Sequence, residues 1–165
     1  MKLPVYERMV PFSLPPVGFS LGHRALALTA EAMRTRVSRG TQRMADSEVV
    51  QLQLGEASAA IEVATLVMHA RREASMALLR SGRTIADADI LRNRRDISFA
   101  LHELRRGVEC LVDISGARTV YDTDRLRMLV RDLDTITTHY TVSRQAAMVP
   151  YGRMLLGFPP QEAEA

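Results

Sequence analysis

The chain has 165 residues, 47% hydrophobic and 25% charged, which suits one compact domain burying roughly 70% of its unfolded surface and excludes a disordered chain. All but one of its 22 cationic residues are arginines, yet the net charge is only +3 and aromatics make up 5%. Interleaved acids and scarce aromatics argue against the basic stripe of a nucleic-acid binder, and a lone cysteine, Cys110, excludes a disulfide framework or a cysteine-rich metal site.

Residues 1–14 read as an irregular lead-in broken by Pro4 and Pro11. A first helix is predicted from Pro15 or Pro16 to about Val37, because proline suits a first turn. A polar break follows, from Ser38 through Arg39 and Gly40 to Arg43. The second helix runs from about Ser47 to Arg80, with a seam of Val50, Leu54, Ala57, Ile61, Ala64, Met68 and Leu79 at three-, four- and seven-residue steps. Thr84 with Asp87 resembles a capping box for a third helix, whose stripe is Ile90, Ile97, Leu101, Leu104, Val108 and Leu111, ending at Ser115-Gly116. A fourth begins after Thr123 or Asp124 and carries Leu126, Leu129, Leu133, Ile136 and Tyr140. A last piece spans about Ser143 to Leu156, disturbed by Pro150 and closed by Gly157. The predicted architecture is all-α: an up-and-down four-helix bundle with an extra C-terminal helical piece over residues 15–158. Residues 159–165 form a frayed tail.

No apolar run reaches the roughly 18 residues of a membrane span, and the opening residues lack the apolar stretch of a signal peptide. The expectation is a soluble, cytoplasmic protein. Off the core stripes, Met128, Asp132, Thr135 and His139 share a line on the fourth helix about a third of a turn from its apolar face. His139 is either a solvated histidine near a helix end or part of a second face that meets a ligand or another subunit, where it can donate, accept or shuttle a proton. His23, His69 and His102 fall on separate helices without metal-ligand spacing, so no metal is expected. Cys110 reads as a small buried hydrophobe, and Met33, Met68, Met76 and Met154 as core filler.

The stretch from Tyr121 through Arg131-Asp132 to His139, with Tyr151-Gly152-Arg153 and Gly157 behind it, resembles the C-terminus of flavin-dependent monooxygenases built on the acyl-CoA dehydrogenase fold. The stretch from Ser38-Arg39-Gly40 through Asp46-Ser47-Glu48 to Glu56-Ala57 is similar to the second bundle helix of that family. The resemblance covers about Val17 to Gly157.

It implies a C-terminal four-helix bundle from an enzyme that also has an N-terminal helical domain and a central β-domain. Such enzymes form dimers or tetramers through the bundle, take reduced flavin (FADH2 or FMNH2) from a separate reductase, and use O2 to hydroxylate a small organic substrate. It implies His139 as the catalytic histidine beside the isoalloxazine. It further implies Arg39 as an arginine reaching the flavin diphosphate, commonly of a neighbouring subunit, and Ser115-Gly116 as a loop approaching the cofactor. Arg131 is either a flavin contact or half of a structural ion pair with Asp132. Where many relatives carry Gln-Arg before the Arg-Asp pair, this chain has Arg127-Met128. The other two domains are missing from these 165 residues. Expected, therefore, is a fragment or small subunit that needs a partner chain carrying them, inactive alone, or a non-catalytic oligomerisation module that has lost flavin binding.

Overall fold

Two consecutive prolines open the first helix of the computed structural model, which describes residues 9–38, 43–121 and 123–158. α1 (Pro15–Thr35) places Pro15 and Pro16 where backbone N–H groups have no helical partner. α2 (Glu48–Arg80) stops where Gly82 adopts φ 72°. α3 (Asp87–Ser115) leads through a 3₁₀ turn, Gly116–Val120, to α4 (Arg125–Thr138), and α5 (Arg144–Leu155) closes the chain. Asp124 caps α4 by accepting from Leu126 N and Arg127 N at 2.9 and 3.2 Å, and Ser143 caps α5 by accepting from Ala146 N. The lead-in residues 1–8, Gly40 and the 159–165 tail lie outside the described residues.

Pairings between helices give their directions. Gly107 faces Ala57 and Ala60, Asp96 faces Arg71 and Asn93 bonds Ser75, so α3 runs antiparallel to α2. Arg105–Asp134 and Ser98–Val142 make α4 antiparallel to α3 in the same way, and Gly18 against Leu101 with Arg36 against Ser115 makes α1 parallel to α3. The result is an all-α up-and-down bundle with α5 docked on α3, which touches every other helix. Close approach of α2 and α3 depends on small residues: a Cβ on Gly107 would lie 2.9 Å from Ala60 Cβ and 3.3 Å from the Ala57 carbonyl oxygen. The core follows the predicted stripes of α2, α3 and α4, with Ala57, Ile61, Leu101, Leu104 and Leu111 fully buried. Leu54, Leu79 and Leu129 are half-buried, and α1 adds Phe19, Ala25 and Met33.

Three local expectations change. Thr84 caps nothing: burial of Ile85 keeps the chain extended through Ala86, and Asp87 and Asp89 supply the favourable charge in the first turn instead. Tyr140 is 67% exposed because the backbone leaves the helix at His139, where ψ is 136°, and Val130 is buried in the stripe. Cys110 is half-buried, its Sγ 3.6 Å from the Arg106 carbonyl. Among the described residues no helix is long and apolar enough to cross a membrane.

Candidate functional site

The bundle separates the sequence-predicted site residues into two groups. At one end, Arg36 follows α1 and donates from Nη1 to the Ser115 carbonyl at 2.7 Å. Gly116 stands beside it at φ 65°, ψ −156°, a conformation essentially reserved for glycine. Arg36 Nη2 lies 3.5 Å from where a side chain on Gly116 would start. Arg36 and Ser115, together with Thr29, Met33, Tyr121, Asp124 and Arg125, line a cleft of about 550 Å³, with Gly116 next to Ser115 in the chain. Thr29 is 2% exposed, yet its hydroxyl has no hydrogen-bond partner among the described residues. An unsatisfied buried hydroxyl costs about 1–3 kcal/mol, so a group entering the cleft with a polar atom has something to gain there.

Arg39 itself lies outside the described residues. The ends of its segment are drawn together by the Val37–Arg43 bridge and by Met44 N donating to Arg36 O at 2.9 Å. Arg36 is the residue that sequence reasoning missed. Its signal was present: Gly22, Ala25, Thr29 and Met33 form a buried stripe at three- and four-residue steps, and Arg36 is the next step along it. An arginine on a core stripe needs a reason, and the Ser115 carbonyl is that reason.

At the other end, His139 terminates α4. Its Nδ1 lies 2.8 Å from Thr141 Oγ1, and its ring stacks obliquely on Tyr140 with 5.2 Å between centroids. Met128, Asp132, Thr135 and His139 are all exposed in the single chain. Arg131 is also exposed, and neither it nor Asp132 forms an ion pair among the described residues. They are thus not a structural pair within this chain. The 14 residues of α4, at 1.5 Å per residue, hold the two ends about 21 Å apart. One chain therefore does not bring His139 to Ser115 and Gly116.

The remaining histidines sit apart. His23 shares a 3.0 Å hydrogen bond with Thr65, and His69 is exposed. His102 on α3 is held below the ordinary histidine value, first by burial and then by the positive charge of Arg144. Among the described residues no group of three His, Cys, Asp or Glu side chains is arranged to hold a metal ion. A second groove, of about 470 Å³, lies between α2, α3 and α5. Asp96 there bridges Arg71 and Arg95, and the Arg95 guanidinium stacks 3.9 Å above the Tyr151 ring, so the charges are spent on fastening α5.

A family model for the acyl-CoA dehydrogenase C-terminal domain matches residues 12–144. The chain belongs to that family. As an acyl-CoA dehydrogenase C-terminal domain, it is 27% identical over 161 residues to the oxygenase component of the FADH(2)-dependent resorcinol hydroxylase of Rhizobium sp. (strain MTP-10005), with 92% of this chain and 39% of that protein covered. The 3-HSA hydroxylase of Rhodococcus sp. RHA1 superimposes with a TM-score of 0.83 at 23% identity, over 98% of this chain and 40% of that one. XiaF from Streptomyces sp., solved in complex with FADH2 and glycerol, superimposes with a TM-score of 0.86 at 21% identity, over 96% of this chain and 40% of that one. At these identities the structural likeness establishes the fold, and this domain spans about two fifths of the length of those proteins.

Proposed function

We propose that this chain is the C-terminal bundle, as a fragment or a small subunit, of a flavin-dependent monooxygenase that hydroxylates a small organic substrate in the cytoplasm. A separate reductase supplies the reduced flavin, FADH2 by analogy with the hydroxylase and XiaF named above. When bound, that group supplies the electrons that activate O2. The observation that carries this reading is the corner of Arg36, Ser115 and Gly116. A planar guanidinium fork, a glycine backbone open to close approach and the orphaned Thr29 hydroxyl suit a diphosphate. Arg36 takes the phosphate-facing role expected of Arg39, Ser115 and Gly116 form the backbone approach, and Arg131 is an outer contact.

His139 faces the reactive ring. Because about 21 Å of α4 separates it from Arg36, the two ends serve one flavin only if they come from different copies. The bundle is therefore a homo-oligomer, a dimer or tetramer. Its contact face is the outer side of α2, where Val49, Leu52, Val63 and Leu66 are each about 60% exposed at helical spacing. If the chain is a small subunit, a partner chain supplies the N-terminal and β-domains that cover the flavin.

The test is an anaerobic titration with reduced flavin, on the chain alone and on the chain assembled with those domains. Tight binding is expected only in the assembly. No binding in either state overturns the reading and leaves a non-catalytic oligomerisation module.

A further inference from the structure

His139 is held by the corner that follows α4. The Thr141 backbone N–H donates to His139 Nδ1 at 3.4 Å, and the Thr141 hydroxyl lies 2.8 Å from the same nitrogen. A hydroxyl suits either tautomer, but a backbone N–H only donates. Nδ1 therefore presents its lone pair, and the hydrogen of the neutral ring sits on Nε2. The corner is anchored in turn. Thr141 and Val142 are 7% and 1% exposed. Val142 N and Ser143 N donate to the His139 carbonyl at 3.0 and 2.9 Å. From α3, the fully buried Ser98 donates its hydroxyl to the Val142 carbonyl at 2.7 Å.

We infer that the Thr141–Val142 corner, anchored by Ser98, makes His139 a hydrogen-bond donor through Nε2, with Thr141 and Ser98 as positioning residues. This rests on the flavin-facing role proposed above and adds the atom and the proton. An Nε2–H facing the cofactor would stabilise an oxygen that gathers negative charge. It does not act there as a base, because its lone-pair nitrogen points into the corner. A hydrogen on Nδ1 would face the Thr141 N–H, so the tautomer that the corner selects carries its hydrogen on Nε2.

Nitrogen NMR of the isotopically labelled full chain tests this without flavin. Wild type is expected to show a protonated Nε2 and an unprotonated Nδ1 for His139. Thr141→Val keeps the backbone N–H but loses the 2.8 Å hydroxyl contact that holds the ring against it. It and Ser98→Ala are therefore expected to move the two resonances toward each other as the ring leaves that N–H and the tautomers begin to exchange, and Thr141→Ser to keep the wild-type pair. In the assembled enzyme Thr141→Val should lower kcat about tenfold with flavin affinity unchanged, and Thr141→Ser should restore it. Should the buried Ser98→Ala variant fail to fold, the Thr141→Val and Thr141→Ser pair decides. A protonated Nδ1 in wild type, or a Thr141→Val spectrum identical to wild type, overturns the inference and leaves the flavin-facing reading intact. If the tautomer is as stated and His139→Ala hydroxylates at the wild-type rate, that reading fails and the inference falls with it.

Discussion

The two ends of the bundle are made from different materials and held in different ways. At the α1–α3 end a guanidinium reaches 79 positions along the chain to a backbone carbonyl, beside a left-handed glycine and a hydroxyl without a partner. At the α4–α5 end a histidine is held by a residue only two positions away, and a buried serine fixes that residue's neighbour. The first arrangement suits holding a charged group; the second suits aiming one hydrogen atom. Binding and chemistry should therefore fail separately when each end is damaged.

The largest effects should come from the residues that define each end. In the assembled enzyme, Arg36→Met should weaken reduced-flavin binding about a hundredfold, in line with a lost charge-assisted contact of about 1.5–3 kcal/mol. Arg36→Lys should recover only part of it, since a point charge does not reproduce the fork. His139→Ala should do the opposite: affinity by anaerobic titration stays within about threefold, while the hydroxylation rate falls about a hundredfold. If both variants lose affinity alike, the division between the ends is wrong.

Gly116→Ala comes next, and it separates the ends by stability. Alanine at φ 65°, ψ −156° should cost about 1–3 kcal/mol, lowering Tm by roughly 5 °C for a chain this size. At the other end Tyr140→Ala, at a residue 67% exposed, should move Tm by no more than about 1 °C. Calorimetry on the two variants checks both values.

The architecture was legible because it rests on periodicity. The stripes through Ala57, Ile61, Leu101, Leu104 and Leu133 are long, and burial follows them. What failed was local. The Thr84 cap lost to burial of Ile85, and Tyr140 left its stripe when the helix ended two residues earlier, at Thr138. His139 could be separated from the core because it stands off the apolar line. Arg36 was overlooked because a loop arginine attracts attention and a helix-end arginine does not. Its partner, the Ser115 carbonyl, belongs to another helix, and side-chain spacing says nothing about a backbone oxygen. Nor does spacing along α4 show that His139 and Gly116 lie at opposite ends of one chain.

A smaller effect concerns pH at the histidine end. His102 is held below its ordinary value by burial and by Arg144, with Arg105 acting in the same direction and the Val142 carbonyl and Glu103 opposing. A histidine with a depressed folded value binds its proton more readily when unfolded. Unfolding therefore takes up protons in the window just below the ordinary value of about 6.5, and stability falls as pH drops through it. Thermal melts from about pH 8 to pH 5.5 should show that fall, and His102→Gln should flatten it. The cleft at the arginine end contains no histidine, so Gly116→Ala should lower the whole curve without changing its slope. A slope unchanged by His102→Gln would assign the pH dependence to another group.

A small effect, above only that of Tyr140→Ala, should come from the ion pair that ties the last turns of α4 to α3. Arg105 Nε lies 2.5 Å from Asp134 Oδ1 and Arg105 also pairs with Glu109. The Asp134 hydrogen bond is the main cause of the raised Arg105 value, with burial opposing it. Both side chains are about a third exposed or more, so solvent screens most of this attraction, and Asp134→Asn leaves Arg105 its second carboxylate. The expected loss is about 0.5–1 kcal/mol at low salt, fading as ionic strength rises. Chemical denaturation at two salt concentrations measures it. Ser98 is buried and its bond to Val142 is unscreened, so losses from Ser98→Ala should persist in salt. If instead Asp134→Asn costs more than about 2 kcal/mol and the loss survives high salt, the ion pair, not the serine, positions the end of α4 and the histidine beyond it.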